Sequence, residues 1–208
     1  IQNMLEQKVK FMFAMGGNFL SAAPDTNQTA RALRNLDLSV QVSTKLNRSH
    51  LVTGKQALIL PCLGRSEIDF QKLGRQFQSV ENSMGIVHST QGDLKPASPH
   101  LKSEVSIVCE LAAKVLGQSP IDWLRLTEDY DRIRDLISQC IPGFENYNQR
   151  VRNKYGFYLP NPVRDKRIFP TQNGKVNFYC HEIPEWKLPK DRYLMMTIRS
   201  HDQFNTTI

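Results

Sequence analysis

No stretch of the sequence is apolar for the roughly 18 residues that a membrane-crossing helix needs, so no membrane is among the expected partners. No signal peptide is legible at the N-terminus, and a cytoplasmic location is the expectation. Ile1 stands where a start methionine would be, and the expected chain is a C-terminal fragment of a longer polypeptide. Cysteine is scarce: Cys62, Cys109, Cys140 and Cys180 are scattered along the chain. No pair has the short spacing of a zinc knuckle or an iron–sulfur loop, which excludes a cluster held by these cysteines together. Thiols without pairing logic suit a reducing compartment. Cys109 lies in an apolar helical stretch and reads as a core residue. His50, His88 and His201 also lack metal-ligand spacing, and no metal-binding residue is expected in this chain.

Acidic residues are outnumbered, 20 against 27 lysines and arginines, for a net charge of +7. A basic balance is either a solvated surface or the counterpart of an anion, whether nucleic acid or a phosphorylated cofactor. The aromatic residues do not interleave with the basic ones, as a stacking platform for bases would require. No nucleic-acid partner is therefore expected, and a stand-alone basic nucleic-acid-binding domain is the alternative reading. A 40% hydrophobic content is that of a globular protein.

The first 61 residues carry a clear order. After a short N-terminal helical end, the apolar run Phe11–Met15 stops at Gly16-Gly17-Asn18, the pattern of a buried parallel strand. Asp25 or Thr26 can cap a helix running to Leu36, with Ala30, Ala32 and Leu33 facing inward. Leu38–Val42 alternates as a strand does. Arg48–Thr53 makes one or two helical turns, and Ala57–Leu60 is a third buried strand closed by Pro61. Strand–helix alternation predicts an α/β fold, a parallel sheet with right-handed crossovers and helices on its faces. Ligands of such sheets sit beyond the carboxyl ends of the strands. That rule singles out Gly16-Gly17-Asn18, Ser43-Thr44-Lys45 and Pro61-Cys62.

Residues 62–100 read as a loop-rich excursion with short strands at Phe77–Val80 and Gly85–His88. Ser103–Leu116 and Asp131–Ile141 read as helices. The expected division is an α/β region over 1–152, an extended connecting segment over 153–190 with a strand at Lys175–Phe178, and a new domain beginning at 191–208 with the strand Tyr193–Ile198.

Four blocks carry a family resemblance: Phe13-Ala14-Met15-Gly16-Gly17-Asn18-Phe19, Ser43-Thr44-Lys45-Leu46-Asn47-Arg48-Ser49-His50, Ile59-Leu60-Pro61-Cys62-Leu63-Gly64-Arg65, and Thr197-Ile198-Arg199-Ser200-His201-Asp202-Gln203-Phe204-Asn205-Thr206. With them the chain resembles the alpha subunits of molybdopterin oxidoreductases, most closely the formate-dehydrogenase-like branch. The resemblance implies the late part of that family's α/β region and the first strand of a truncated C-terminal β-barrel. It implies a molybdenum or tungsten ion between two pyranopterin guanine dinucleotides, part of whose cradle this chain supplies. A [4Fe-4S] cluster and the metal ligand would belong to an N-terminal part not included here. Formate or a similar small molecule is the implied substrate, and the rest of the polypeptide the implied partner. The fragment by itself is expected to be inactive.

In that setting Gly16 and Gly17 would admit a diphosphate close to the backbone. Ser43 and Thr44 offer hydroxyls, Lys45 a point charge and Arg199 a fork of donors. Glu104 or Asp202 would accept from the N–H edge of guanine or pterin. Asn18, His201 and Gln203 complete the implied contacts. Lys45 stands where the wider family commonly has threonine, and Gln203 where many members have histidine. Each has a plainer competitor: a tight turn for the glycines, a solvated or ion-paired cation for Lys45 and Arg199, helix-terminus electrostatics for Glu104. A hydrolase with Cys62 as nucleophile is a further alternative.

Overall fold

The computed structural model describes residues 1–183, 185 and 187–195. The helix α1 (Gln2–Leu5) leads into β1 (Phe11–Met15). The short helix α2 (Phe19–Ala22) and α3 (Thr26–Arg34) follow. Asp25 is the residue that caps α3, its Oδ1 accepting from the Gln28 N–H at 2.8 Å. Next come β2 (Leu38–Ser43), a 3-10 turn (Arg48–Leu51) and β3 (Gln56–Pro61). The three strands lie in the order β1-β2-β3, all parallel, with Phe13 opposite Val40 and Val40 opposite Leu58. The parallel sheet expected from the apolar runs is therefore present.

Residues paired in register share a face. On one face, Met12 packs against a cluster of Met4, Leu20, Ala32, Leu33 and Leu36 supplied by the helices and their connections. Polar residues of β2 are buried here too. Ser39 Oγ accepts from the Gly54 N–H at 3.2 Å, and Gln41 Nε2 donates to the Ser49 carbonyl at 3.0 Å, so neither is left unpaired. The opposite face differs from expectation. Phe11, Phe13, Val40, Leu58 and Leu60 line an open apolar groove, shared with Ile107 and Leu111 of the helix α4 described below. Phe11 is 50% exposed and Leu58 52%. The third strand is thus not buried as its composition predicts. It lies at the edge of the sheet, where α4 only partly covers it.

The excursion holds two antiparallel sheets. β4 (Phe70–Gln71) pairs with β5 (Gly74–Arg75). β6 (Gln78–Glu81) and β7 (Ile86–Thr90) form the expected short strands, joined through Gly85 at φ +73°. The helices that follow are α4 (Glu104–Val115), α5 (Trp123–Glu128), α6 (Asp131–Cys140) and α7 (Tyr147–Val151). β8 (Phe157–Tyr158) then adds to β7, and Val87, Tyr147, Val151 and Phe157 form a second core. The Arg134 guanidinium lies 3.9 Å from the centre of the Phe77 ring and ion-pairs with Asp131, so this buried cation is both stacked and neutralised. Cys109 is buried, as a core thiol should be.

The segment expected to be extended throughout begins instead with β8 and the helix α8 (Pro162–Lys166), which starts on a proline at its first turn and is capped by Asn161. At Lys175–Phe178 the expected strand is not formed: no strand pairing is found there among the described residues, and Phe178 is exposed. Tyr193–Met195 carry no strand, and the remainder of the expected barrel strand, with Arg199, His201, Asp202 and Gln203, lies outside the described residues. Among the described residues no helix is long and apolar enough to cross a membrane.

Candidate cofactor cleft

The carboxyl ends of β1 and β2 open onto a single cavity of about 820 Å³. Gly16, Gly17, Asn18, Ser43, Thr44, Lys45 and Glu104 all line it. The structure therefore brings together every sequence-predicted site residue that it describes. Two loops and one helix start, distant in sequence, meet here because parallel strands place their C-terminal connections on the same edge.

The two strand-end loops are laced to each other. The Gly17 carbonyl accepts from Asn47 Nδ2 at 2.8 Å, and Asn18 Oδ1 accepts from Ser49 Oγ at 2.9 Å. Ser49 Oγ in turn accepts from the Leu20 N–H at 2.9 Å. Asn47 caps its own turn, its Oδ1 accepting from the Ser49 N–H while His50 Nδ1 accepts from the Asn47 N–H at 3.0 Å. His50 is thus a structural residue, as its lack of ligand spacing predicts. Gly16 and Gly17 both have positive φ, +66° and +69°, a backbone that residues with a Cβ adopt only under strain. The Gly16 N–H donates to the Val42 carbonyl at 2.8 Å, so it is not free for a ligand. Asn18, expected to face a cofactor, uses its side-chain oxygen to hold the Ser21 N–H and the Ser49 hydroxyl.

The far wall comes from the loop after β3 and from the start of α4. Leu63 N–H donates to the Lys102 carbonyl at 2.9 Å, and Glu67 Oε2 accepts from the Gly64 N–H at 2.6 Å. These bonds hold Arg65 on the rim. Ser103 caps α4, and Glu104 follows at its first residue. A Cβ built on Gly16 would lie 4.0 Å from Glu104 Oε1, so that carboxylate faces the first loop across the cleft.

Arg48 and Arg65 are cleft residues that sequence reasoning missed, although both sit in the motif blocks that drew attention to these loops. With Lys45 they place three cations in the lining, against Glu104 as the one carboxylate among the described lining residues. None of these four side chains makes an ion pair or a hydrogen bond among the described residues; the ion pairs of this region lie elsewhere, as at Lys102–Glu110 and Lys55–Asp37. An unpaired cation cluster in a concave site concentrates anions.

Cys62 is 2% exposed. Burial, reinforced by Glu104 and Glu67, pushes its thiol up to about 11. A nucleophilic cysteine needs the opposite shift and an open approach, so the hydrolase reading of Cys62 is excluded.

No family model matches the chain. Proteins named uncharacterized oxidoreductase from Mycobacterium bovis and from Mycobacterium tuberculosis are each 49% identical to it over 209 aligned residues. Protein YdeP of Escherichia coli is 46% identical over 212. In each case the alignment takes in 100% of this chain but only 27% or 28% of the relative. The chain therefore spans about a quarter of the length of the curated relatives it matches, and the mycobacterial ones are larger proteins named as oxidoreductases.

Proposed function

We propose that this chain is part of a molybdopterin-dependent oxidoreductase of the formate-dehydrogenase type, and that its cleft holds the phosphate-bearing portion of a pyranopterin guanine dinucleotide. One observation carries the reading. Three unpaired cations and one unpaired carboxylate converge at the carboxyl ends of a parallel sheet, in a chain aligned end to end with larger proteins, some of them named oxidoreductases. The donor set fits such a group. Lys45, Arg48 and Arg65 would neutralise a diphosphate, Arg65 through two parallel N–H donors and Lys45 as a point charge. The Gly17 turn lets backbone come close to the anion. Glu104 would accept from an N–H edge of guanine or pterin.

Bound, the cofactor's molybdenum supplies the electron transfer to and from a small substrate such as formate. The cleft residues of this chain would bind and orient the cofactor. An iron–sulfur cluster, the metal ligand and the remaining walls of the site would come from elsewhere in the intact protein.

The test is made on the protein that carries this chain, purified whole. Metal analysis is expected to find molybdenum together with guanine nucleotide released on acid hydrolysis. Replacing Lys45 and Arg65 together by alanine is expected to lower both in parallel. Full folding without either component in the unaltered protein would overturn the proposal.

A further inference from the structure

The apolar face that the parallel sheet leaves open follows from the order of its strands. β1, β2 and β3 succeed one another in a single direction and are all parallel. Right-handed crossovers taken in one direction all fall on the same face. The observed connections obey this. α2 and α3, between β1 and β2, supply Leu20, Ala32 and Leu33 to the covered face. The 3-10 turn between β2 and β3 joins that face through Ser49, whose carbonyl accepts from Gln41 and whose hydroxyl accepts from the Leu20 N–H. By the same rule no connection between these three strands reaches the other face. Only an element from elsewhere in the polypeptide can cover it, as α4 does in part.

The uncovered part is continuous and shaped. Phe11, Phe13, Leu58 and Leu60 of the sheet and Ile107 and Leu111 of α4 line a groove of about 520 Å³. Phe11, Leu58 and Leu111 are 50%, 52% and 42% exposed. Large apolar side chains gathered on one concave surface mark a place of interaction, and a parallel sheet is stable with both faces covered. The groove also selects the shape of what fills it. α4 stands on this face one helix diameter high, about 10 Å, and so holds off the flat sheet face of a second copy. A helix lying beside α4 reaches the strands. Its chemistry is set as well: an apolar stripe faces the strands, and an acidic residue faces Lys114. The other rim lysine, Lys102, is already neutralised by Glu110, whereas Lys114 makes no ion pair among the described residues.

The whole of this chain aligns with only 27% or 28% of the length of its relatives, so nearly three quarters of each relative lies outside it. We infer that an amphipathic helix from that remaining part of the polypeptide packs in the groove beside α4 and completes the second layer over the parallel sheet. A helix on the same polypeptide is present at high effective concentration, which keeps so apolar a face from standing open in the intact protein. The inference is independent of what the cleft binds.

The experiment uses the intact protein that carries this chain. Hydroxyl-radical footprinting of the unaltered protein reads the cover directly. Phe11 and Leu58 are expected to be modified as slowly as the buried Leu33, at every protein concentration, and to become reactive only on denaturation. Modification of Phe11 and Leu58 in the native protein at the rate of the denatured one would overturn the inference. A second measurement identifies the occupant. Leu111 is replaced by p-benzoylphenylalanine, the protein is irradiated, and the joined peptides are sequenced by mass spectrometry. The expected product is a cross-link within one polypeptide, to a segment outside these 208 residues with apolar residues at helical spacing. Cross-links that join two polypeptides, with protection of Leu58 that fades on dilution, would assign the groove to a second copy and overturn the inference. A cross-link to a segment without that spacing would overturn the helix.

Discussion

At Cys62 burial and two carboxylates act in the same direction. The thiolate would be a third negative charge near Glu104 and Glu67, away from water, and its pKa is raised to about 11. The cysteine is therefore a small apolar side chain at the strand end rather than a reactive one. A raised pKa makes the neutral form the folded-state form. The stability tied to this thiol is fully present below its unfolded value near 9 and is lost as pH rises through about 11. Thiol labelling of the folded chain at pH 7 to 9 is expected to modify the exposed Cys140 and Cys180 and to leave Cys62 and Cys109 unmodified until denaturant is added. Fast labelling of Cys62 in the folded chain would restore the nucleophile reading. At this scale the sequence was only half legible. Gly16-Gly17 and Lys45 stood out by residue type and place. Arg48 and Arg65 did not, because an arginine one turn past a strand end looks like any surface cation until the fold brings it round to face the others. Sequence also shows the amide of Asn18 but not that its oxygen is taken by Ser21 and Ser49.

At the level of elements, long apolar runs gave away β1, β2 and β3, and a serine or aspartate before an amphipathic run gave away α3 and α4. The elements that stayed hidden are the short ones. α7 has five residues and starts after Asn146 in the left-handed region, and β8 has two residues; neither is long enough to show a period. The strand expected at Lys175–Phe178 failed because alternation over four residues needs a partner strand to be worth anything. β8 matters nonetheless, since it closes the second core. Its approach to β7 is set by Gly156, at φ +67°, where an added Cβ would lie 2.0 Å from the Val87 carbonyl oxygen. Gly17 has a similar φ but open space where its Cβ would be. The two sites therefore separate strain from clash. Gly17→Ala is expected to cost about 1 kcal/mol, the left-handed penalty alone. Gly156→Ala is expected to cost about 3 kcal/mol or more, because the β7–β8 pairing must also part. Urea unfolding of both variants checks this, and equal costs would show that β8 does not pair with β7 in solution.

Across the whole molecule, the parallel sheet has two unlike faces. Parallel sheets are stable when both faces are covered. Here α1 and α3 cover one, while the other presents Phe11, Phe13, Leu58 and Leu60 to a groove only partly roofed by α4. The amino-acid pattern could not reveal this asymmetry, because an apolar strand reads the same whether its cover is present or not. The energetic consequence is a difference between two leucines of the same sheet region. Leu33 is 4% exposed and packs in the cluster under the covered face; Leu58 is 52% exposed. Truncating a buried leucine removes its transfer energy and leaves a cavity, at about 2–5 kcal/mol, whereas a half-exposed one forfeits less than half of the transfer term and leaves no cavity. Leu33→Ala is accordingly expected to lower the unfolding free energy of the 208-residue chain by about 3 kcal/mol, and Leu58→Ala by about 1 kcal/mol or less. Chemical denaturation at several protein concentrations measures both. Should Leu58→Ala cost as much as Leu33→Ala, with a midpoint that climbs with concentration, the groove is filled in solution by a second copy of the chain, and the open face described here belongs only to the single molecule.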